Sequence, residues 1–366
     1  MLRDTAMKGK CKMMSLRGAV TGVFVAAFCL VGHALPLAAQ GIERNILTGG
    51  PTGTYIQFGR DIADAAARCD ITLNVRESAG SLENFLGVRM RRHTQFGIVQ
   101  SDVLEYLNTF AAEDSELARA VAGVRIAFPL YNEEVHVLAR RDIGSLQDLS
   151  GRRVSIGVEN SGTFLTASLV LDLAQVSPSE RVLLNADDSL RQLLAGEIDA
   201  FFYIVGAPSA IYQSPEIDPE EFHLVPITDP TLQAVYQSTS IPAGTYPFQP
   251  EAIDVVAVKA VLMTYEFNPR RNAYHYESCR AVSDIAHVIS TQFRDLQENG
   301  HPKWQQVDLS DLPPGWDVGG CVNAGLSARY DLQCRGAGST PSAMPDSAES
   351  EANRAYREQI CAAIGC

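Results

Sequence analysis

A chain of 366 residues with 46% hydrophobic and 20% charged residues has the composition of an ordinary globular protein, which excludes a disordered chain and a polytopic membrane protein. Its formal net charge of -13 repels nucleic acid and anionic membrane surfaces, so no nucleic acid partner is expected. Because single hydrophobic cores stop growing at roughly 250 to 300 residues, the length predicts two domains.

The first 39 residues are predicted to be a secretory signal peptide. Four basic residues between Lys8 and Arg17 precede a short apolar run at 19–31, and small residues lead up to Gln40. The apolar run is shorter than the roughly 20 residues that a membrane-spanning helix needs. We therefore expect cleavage near Ala39 and export to the periplasm.

Three strand-to-helix units are predicted after the signal peptide. Short apolar runs alternate with longer segments in which apolar residues recur at helical spacing. The predicted strands are 45–48, 71–75 and 96–100, and the helices that follow them are 55–67, 82–92 and 103–110. Such an order predicts a parallel sheet flanked by helices.

The same alternation is repeated in a second part of the chain. The predicted strands are 135–138, 153–158, 183–185 and 199–205, with helices at 164–174 and 189–195. Further strands are expected at 241–246 and 254–264, and one long helix at 276–299. The stretch 336–350, rich in Gly, Ser, Pro and Ala, is predicted to be a flexible linker before a short helix at 351–364. The fold class is therefore α/β, with two similar parts.

Six cysteines remain after the signal peptide, at positions 69, 279, 321, 334, 361 and 366. An even number in an exported chain favours disulfides over free thiols. The sequence leaves the pairing open, because six cysteines allow 15 connectivities. The seven histidines are scattered and form no zinc pattern with the cysteines, so neither a metal nor another cofactor is predicted.

A glycine-rich loop between the first strand and the first helix is the leading candidate for ligand contact. Backbone N–H groups at a helix start favour an anionic or carbonyl group, which makes Gly50, Gly53, Thr54 and Tyr55 candidate binding residues. The loop is not a nucleotide-binding P-loop, because no lysine follows its last glycine. It also lacks the GxGxxG spacing of dinucleotide-binding proteins.

Other strand ends carry similar polar or glycine-rich residues. In open α/β sheets, ligands bind beyond the carboxyl ends of the strands, so these loops are expected to converge on one crevice. Each one alone is more typical of a helix cap than of a ligand contact, but it is less expected that all of them are only caps. The further candidates are Ser81, Gln100, Ser101, Asp102, Ser161, Gly162, Thr163, Gly206 and Ala207.

Catalytic motifs are missing from the sequence, which contains neither a GxSxG elbow nor an HExxH helix. His136 lies in an apolar strand and is interpreted as a buried structural histidine. Glu133 and Glu134 are adjacent on a strand, so only one of them can face the crevice. Asp102 and Glu133 are the best candidates for an acid or base, but no catalytic residue is assigned and no enzyme is predicted.

Seven segments occur in a fixed order between residues 46 and 247: ILTGGPTGTY, ESAGSLEN, FGIVQSDV, LYNEEVHVL, DLSGRRVSIGVENSGT, GEIDAFFYIVGAP and IPAGTYP. This series resembles the TAXI family of solute receptors, which are the extracytoplasmic binding subunits of one class of tripartite ATP-independent periplasmic (TRAP) transporters. The sequence departs from the family at Pro51 and Thr52 and at 132–134, where other residues are usual.

The resemblance implies a periplasmic-binding-protein-like fold of type II, with two α/β lobes joined by a two-crossing hinge. It implies a ligand such as glutamate, glutamine or another small carboxylate. It also implies a membrane partner driven by an ion gradient, for which we expect a fused permease. On this basis lobe I is expected to be 40–125 plus 244–322, lobe II 126–243, and the C-terminal extension 323–366. The binding protein is expected to be a monomer; an enzyme or a sensor-input protein on the same scaffold remains the alternative.

Overall fold

The computed structural model describes residues 43–111 and 115–332. The predicted signal peptide, the predicted linker and terminal helix, and Cys334, Cys361 and Cys366 lie outside these residues. In the part of the chain that the structure describes, no helix is both long enough and apolar enough to cross a membrane.

The described residues form ten strands and ten α-helices. The strands are β1 (Asn45–Leu47), β2 (Asn74–Arg76), β3 (Thr94–Gln100), β4 (Val124–Arg140), β5 (Arg153–Ser155), β6 (Glu180–Val182), β7 (Ala200–Val205), β8 (Phe222–Leu224), β9 (Gln237–Ile241) and β10 (Ile253–Tyr265). The helices are α1 (Thr54–Ala67), α2 (Ser81–Met90), α3 (Ser101–Phe110), α4 (Ser115–Val121), α5 (Gly162–Leu173), α6 (Ala186–Leu194), α7 (Pro230–Val235), α8 (Ala273–Thr291), α9 (Phe293–Asn299) and α10 (Gly320–Leu326).

The strands form one hydrogen-bonded sheet in the order β2-β1-β3-β10-β4-β7-β5-β6, with β8 beside β4 and β9 beside β10. The three strands at each end of this order are parallel, whereas β10 and β4 run antiparallel to each other and to their outer neighbours. All seven residues of β3 are buried, as expected for a parallel strand that is covered on both faces. The predicted α/β fold class is confirmed.

Two separate groups of apolar residues show where the chain divides into lobes. In the first lobe, residues from 46–131 and 260–326 pack together. In the second lobe, residues from 135–258 pack together. The division falls within β4, after Tyr131, and within β10, after Val258, so these two long strands are the chain crossings between the lobes.

The lobe boundaries in the structure differ from those expected from the sequence, at 125/126 and 243/244. The start of β4, from Ile126 to Tyr131, packs in the first lobe. Tyr246, Phe248 and the start of β10 pack in the second lobe. The reason is that the two crossing strands are longer than their apolar patterns suggested, with 17 and 13 residues.

Several predicted elements are shifted, shortened or interrupted. The strand predicted at 183–185 is β6, three residues earlier. The strand predicted at 241–246 is β9, which ends at Ile241, before a turn in which Gly244 has a positive φ of 71°. The helix predicted at 276–299 is interrupted at Gln292. The side chain of Gln292 donates a hydrogen bond to the carbonyl oxygen of Ala65 at 3.2 Å, which ties the break to α1.

Disulfide bonding, predicted from the even number of cysteines, is confirmed for three of the described cysteines. Cys279 and Cys321 form a disulfide that joins α8 to α10 within the first lobe. Cys69, at the end of α1, is also disulfide-bonded.

Candidate functional site

A cleft of about 560 Å³ lies between the two lobes and adjoins an inner cavity of about 60 Å³. The first lobe contributes the loops before α1 and α2, and the second lobe contributes the loop before α5 and strand β7. The residues that line both spaces are Gly50, Ala79, Ser161, Thr163 and Tyr203. A volume of this size is typical of small-molecule sites.

Nine of the thirteen residues predicted from the sequence line the inner cavity. They come from all four predicted strand-end loops, because the carboxyl ends of β1, β2 and β3 face the start of α5 across the cavity. The nine are Gly50, Gly53, Thr54, Tyr55, Ser81, Gln100, Ser161, Gly162 and Thr163. The structure does not bring Ser101, Asp102, Gly206 and Ala207 into this lining.

The glycine-rich loop makes a tight turn before α1, in which the amide of Gly53 donates to the carbonyl oxygen of Gly50 at 3.2 Å. A Cβ on Gly53 would lie 3.1 Å from the hydroxyl oxygen of Tyr203 in the other lobe, so glycine allows this close approach. Gly80, just before α2, has a φ of 127°, which L-residues rarely adopt. Both glycines therefore shape the wall of the cavity.

Tyr55 and Glu133 form the polar base of the inner cavity. The Tyr55 hydroxyl donates a hydrogen bond of 2.7 Å to Glu133 Oε2 and lies 3.4 Å from the Ser81 hydroxyl oxygen. Glu133 is buried, with 1% of its surface exposed, and burial raises its pKa to about 8. Hydrogen bonds from Tyr55 and Gln100 oppose this rise in pKa without abolishing it. The carboxyl group of Glu133 is therefore protonated at neutral pH.

The start of α5 closes the cavity from the second lobe. The Ser161 hydroxyl caps α5 by accepting a hydrogen bond of 3.0 Å from the amide of Phe164, and the Thr163 hydroxyl oxygen accepts one of 3.3 Å from the amide of Ile204. These two hydroxyls thus have structural roles, which the sequence had left open beside ligand contact. Gly162 lies between them and packs against the first lobe.

Hydrogen bonds join the lobes beside the cavity. The Thr54 hydroxyl donates to the carbonyl oxygen of Gly206 at 3.1 Å, and the Thr166 hydroxyl donates to Asp102 Oδ2 at 2.6 Å. Both cross from the first lobe to the second, so the structure has the two lobes closed on each other.

Ser101 and Asp102 line a separate groove of about 590 Å³ rather than the inner cavity. Burial raises the pKa of Asp102 to about 6, and its carboxylate is held by Thr166. Because Gln100 is the last residue of β3, its side chain points to the cavity while the next two residues turn away into α3. Residues next to Gln100 in the sequence therefore do not line the same cavity as Gln100.

Gly206 and Ala207 belong to the packing behind the cavity. A Cβ on Gly206 would lie 2.7 Å from the Tyr131 ring, so no larger residue fits there. The amide of Ala207 donates to Glu134 Oε2 at 2.8 Å, and Lys303 forms a buried ion pair with Glu134 Oε1. Gly206 and Ala207 therefore do not line the cavity. They pack against Tyr131 and Glu134 behind it.

His136 is completely buried, which confirms the interpretation of this residue as structural. Its Nε2 atom lies 2.8 Å from the Tyr246 hydroxyl and its Nδ1 atom 2.9 Å from the carbonyl oxygen of Glu134. Burial lowers its pKa to about 3, so the ring is neutral at pH 7.

The candidate residues chosen from the sequence omitted the acidic lining. Glu133 lines the inner cavity, and Glu77, Asp187 and Asp188 line the outer cleft. The alternation along β4 was the only signal for Glu133, whereas nothing in the sequence linked the other three. Among residues 43–111 and 115–332, no three His, Cys, Asp or Glu side chains are grouped so that they could hold a metal ion.

Several solved structures are similar to this chain. MatC from Rhodopseudomonas palustris with bound malate is 16% identical, with 72% of this chain and 94% of that chain covered and a TM-score of 0.43. An ABC uptake transporter substrate binding protein from Streptococcus pneumoniae with bound histidine is 12% identical, with 73% and 94% covered and a TM-score of 0.44. A histidine kinase sensor domain with similarity to periplasmic binding proteins is 14% identical, with 73% and 97% covered and a TM-score of 0.42.

The sequence profile of one family spans most of the described structure. It matches residues 46–288, from the first strand of the first lobe through the whole of the second lobe and into α8. This match covers well over half of the 366 residues. The chain therefore belongs to the NMT1-like family.

Proposed function

We propose that the protein is a solute receptor that captures a small carboxylate or amino acid between its two lobes. The observation that carries this proposal is the inner cavity, which is bounded by Tyr55, Ser81 and Gln100 from one lobe and by Gly162 and Tyr203 from the other. A ligand group held there contacts both lobes at once. Binding energy is then available to favour the closed arrangement over an open one.

The starts of three helices support a carboxylate as part of the ligand. Helices α1, α2 and α5 begin at Thr54, Ser81 and Gly162, which all line the inner cavity. Backbone N–H groups and the helix dipole make such helix starts favourable for negative charge without an arginine.

A binding role fits the lining better than a catalytic one. None of the described residues that line the cleft or the cavity is a histidine, cysteine, lysine or arginine. Glu133 is protonated at neutral pH, so it cannot act as a base there. We therefore propose a receptor without catalytic activity.

The TAXI-like series of segments supports a more specific assignment within the NMT1-like family. On that resemblance we propose that the receptor is exported to the periplasm, acts as a monomer and delivers its ligand to a TRAP-type transporter with a fused permease. A sensor-input role would use the same cleft, and it differs in requiring no transporter.

Thermal unfolding in the presence of amino acids and small carboxylates tests the proposal. A true ligand at 100 times its Kd should raise the free energy of unfolding by about 2.7 kcal/mol, with the compound unchanged by mass spectrometry. Tyr55→Phe should weaken binding at least tenfold and leave the unliganded melting temperature within a few degrees of the parent. Tyr276→Phe, at an exposed tyrosine of α8, is the matched control. Chemical conversion of a compound, or no stabilisation by any amino acid or carboxylate, would contradict the proposed receptor function.

A further inference from the structure

The charges that line the site are of one sign. The outer cleft is lined by Glu77, Asp187 and Asp188 and the inner cavity by Glu133, and none of the described lining residues is basic. A dicarboxylate would therefore meet side-chain charge of its own sign in the outer cleft and no cation in the inner cavity. A ligand that also carries positive charge would find a favourable partner.

Glu133 is the innermost of these carboxyl groups. The titratable groups that influence it electrostatically are Tyr55 from α1, Tyr131 from β4, Tyr203 from β7, Asp102 from α3 and its neighbour Glu134. None of these groups is a cation. Burial without a cationic partner is what raises the pKa of Glu133 to about 8.

The nearby lysine is not available to Glu133. The Lys303 Nζ atom donates to Glu134 Oε1, to the carbonyl oxygen of Asn132 at 3.0 Å and to Gln306 Oε1 at 2.8 Å. An ammonium group has three protons, so these three acceptors saturate Lys303. The positive charge that would ionise Glu133 must therefore come from outside the described chain.

A second polar group in the same region also lacks a partner. The Tyr131 hydroxyl is completely buried and has no hydrogen-bond partner among the described residues. After burial itself, the neighbouring Glu133 is the group that most strongly raises the pKa of Tyr131. Unsatisfied buried polar groups are rare and costly, and they are concentrated at functional sites.

We propose that Glu133 receives an ammonium group of the ligand and releases its own proton to solvent as the ligand binds. This inference rests on the proposed receptor function and identifies its ligand as an amino acid or related zwitterion. The inner cavity of about 60 Å³ holds an ammonium group rather than a whole solute, so the rest of the molecule lies in the adjoining cleft of about 560 Å³. Gly50 and Ser161, beside the starts of α1 and α5, line both spaces.

The proton balance makes binding depend on pH. Protonated Glu133 and a charged ammonium become an ion pair, and one proton leaves the protein. Below about pH 8 this proton must be displaced, so affinity should rise about 50-fold between pH 6 and 8, steeply at first and less steeply near pH 8.

Isothermal titration calorimetry of the purified protein with L-glutamate and glutarate tests the inference, because the two compounds differ only in the α-amino group. L-alanine and propionate form a second such pair. At pH 7, titrations in phosphate and in Tris, whose ionisation heats differ, should show about one proton released for each bound amino acid and none for the carboxylate.

Variants then locate the released proton. Glu133→Gln should abolish proton release and weaken binding of the amino acid about 100-fold, because it removes one partner of a buried charge pair. Glu197→Gln, at an exposed position outside the cleft, should behave as the parent. If Glu133→Gln fails to fold, the inference is tested on the parent protein by its proton release and by its preference for the amino acid over the matching carboxylate. Equal heats in both buffers, or equal affinity for L-glutamate and glutarate, would overturn the inference and leave the receptor standing. Binding of none of the four compounds would remove both.

Discussion

Two adjacent carboxyl groups on β4 have opposite electrostatic environments. Glu134 is buried and paired with Lys303, whereas Glu133 is buried with only uncharged partners. A buried charge is stable only when it is paired and hydrogen-bonded, and a buried acid without a cation keeps its proton instead. Glu134 thus holds β4 to the first lobe through Lys303. Glu133 has no cationic partner and lines the inner cavity.

The raised pKa of Glu133 predicts how the stability of the ligand-free protein changes with pH. The folded protein keeps this proton up to about pH 8, whereas the unfolded chain loses it near pH 4.5. The folded state therefore binds more protons between these values, so the free energy of unfolding falls as pH rises. Between pH 6.5 and 8 we expect Glu133 to contribute a fall of about 2 kcal/mol, at 1.36 kcal/mol for each pH unit.

Urea unfolding at these two pH values measures the effect. In Glu133→Gln the free energy of unfolding should fall about 2 kcal/mol less between the two pH values than in the parent. In Glu197→Gln it should fall as in the parent. His136 contributes a smaller change of opposite sign, because the unfolded residue loses its proton around its ordinary pKa of 6.5 while the folded residue is already neutral. An identical fall in parent and Glu133→Gln would show that another group titrates.

The sequence predicted that one of the two glutamates faces the crevice, since residues on a strand alternate. It could not predict which one is neutralised, because Lys303 is 169 residues away from Glu134. Long-range pairing of this kind has no local signal in a single sequence.

At the scale of elements, helix α5 acts through its first residue. A Cβ on Gly162 would lie 1.9 Å from Gln100 Oε1 and 2.7 Å from Ser81 Oγ, both in the other lobe. Gln100 and Ser81 are almost completely buried, so neither side chain can move aside easily. The close approach of α5 to the first lobe therefore depends on a glycine at this position.

Gly162→Ala should prevent the lobes from closing while leaving each lobe folded. Alanine is more favourable than glycine within a helix, so the free energy of unfolding should stay within about 1 kcal/mol of the parent. Ligand affinity should fall at least tenfold, and small-angle scattering should show a larger radius of gyration with ligand present. Gly144→Ala is the control, since its Cβ would make only an ordinary contact of 3.8 Å. Unchanged affinity would mean that binding does not require this approach.

The elements that build the site were the most predictable ones. Strand ends followed by glycine or serine mark helix starts, and this local chemistry located the loops at Gly50, Ser81 and Gly162. Turns with less regular chemistry were not located, as shown by the early end of β9. Ser101 and Asp102 were correctly predicted at the start of a helix. The sequence did not show that this helix, α3, turns their side chains away from the cavity.

At the scale of the whole molecule, the second lobe is an insertion between two segments of the first. Gln100 at the end of β3 pairs with Ala260 in β10, 160 residues later, whereas the second lobe is continuous in sequence. Proteins of this size fold through intermediates, and pairing of distant segments is slow. The second lobe should therefore form before the first.

Refolding from urea tests this order, because both tryptophans of the chain, Trp304 and Trp316, pack in the first lobe. Tryptophan fluorescence should recover more slowly than the far-ultraviolet circular dichroism signal, which reports both lobes. A single rate for the two signals would contradict the predicted order. The resemblance to the TAXI family predicted the insertion. Its boundaries could be located only from the packing of residues along β4 and β10.

The central position of β10 also matters while the chain is being made. It is the last strand of the described chain to be synthesised, yet its neighbours in the sheet, β3 and β4, come much earlier. A product that stops before residue 253 would leave both strands with open edges and the apolar faces of α1 and α3 uncovered, which are features that promote aggregation and degradation. The placement of one strand thus makes the cleft between the lobes available only after residue 265 has been synthesised.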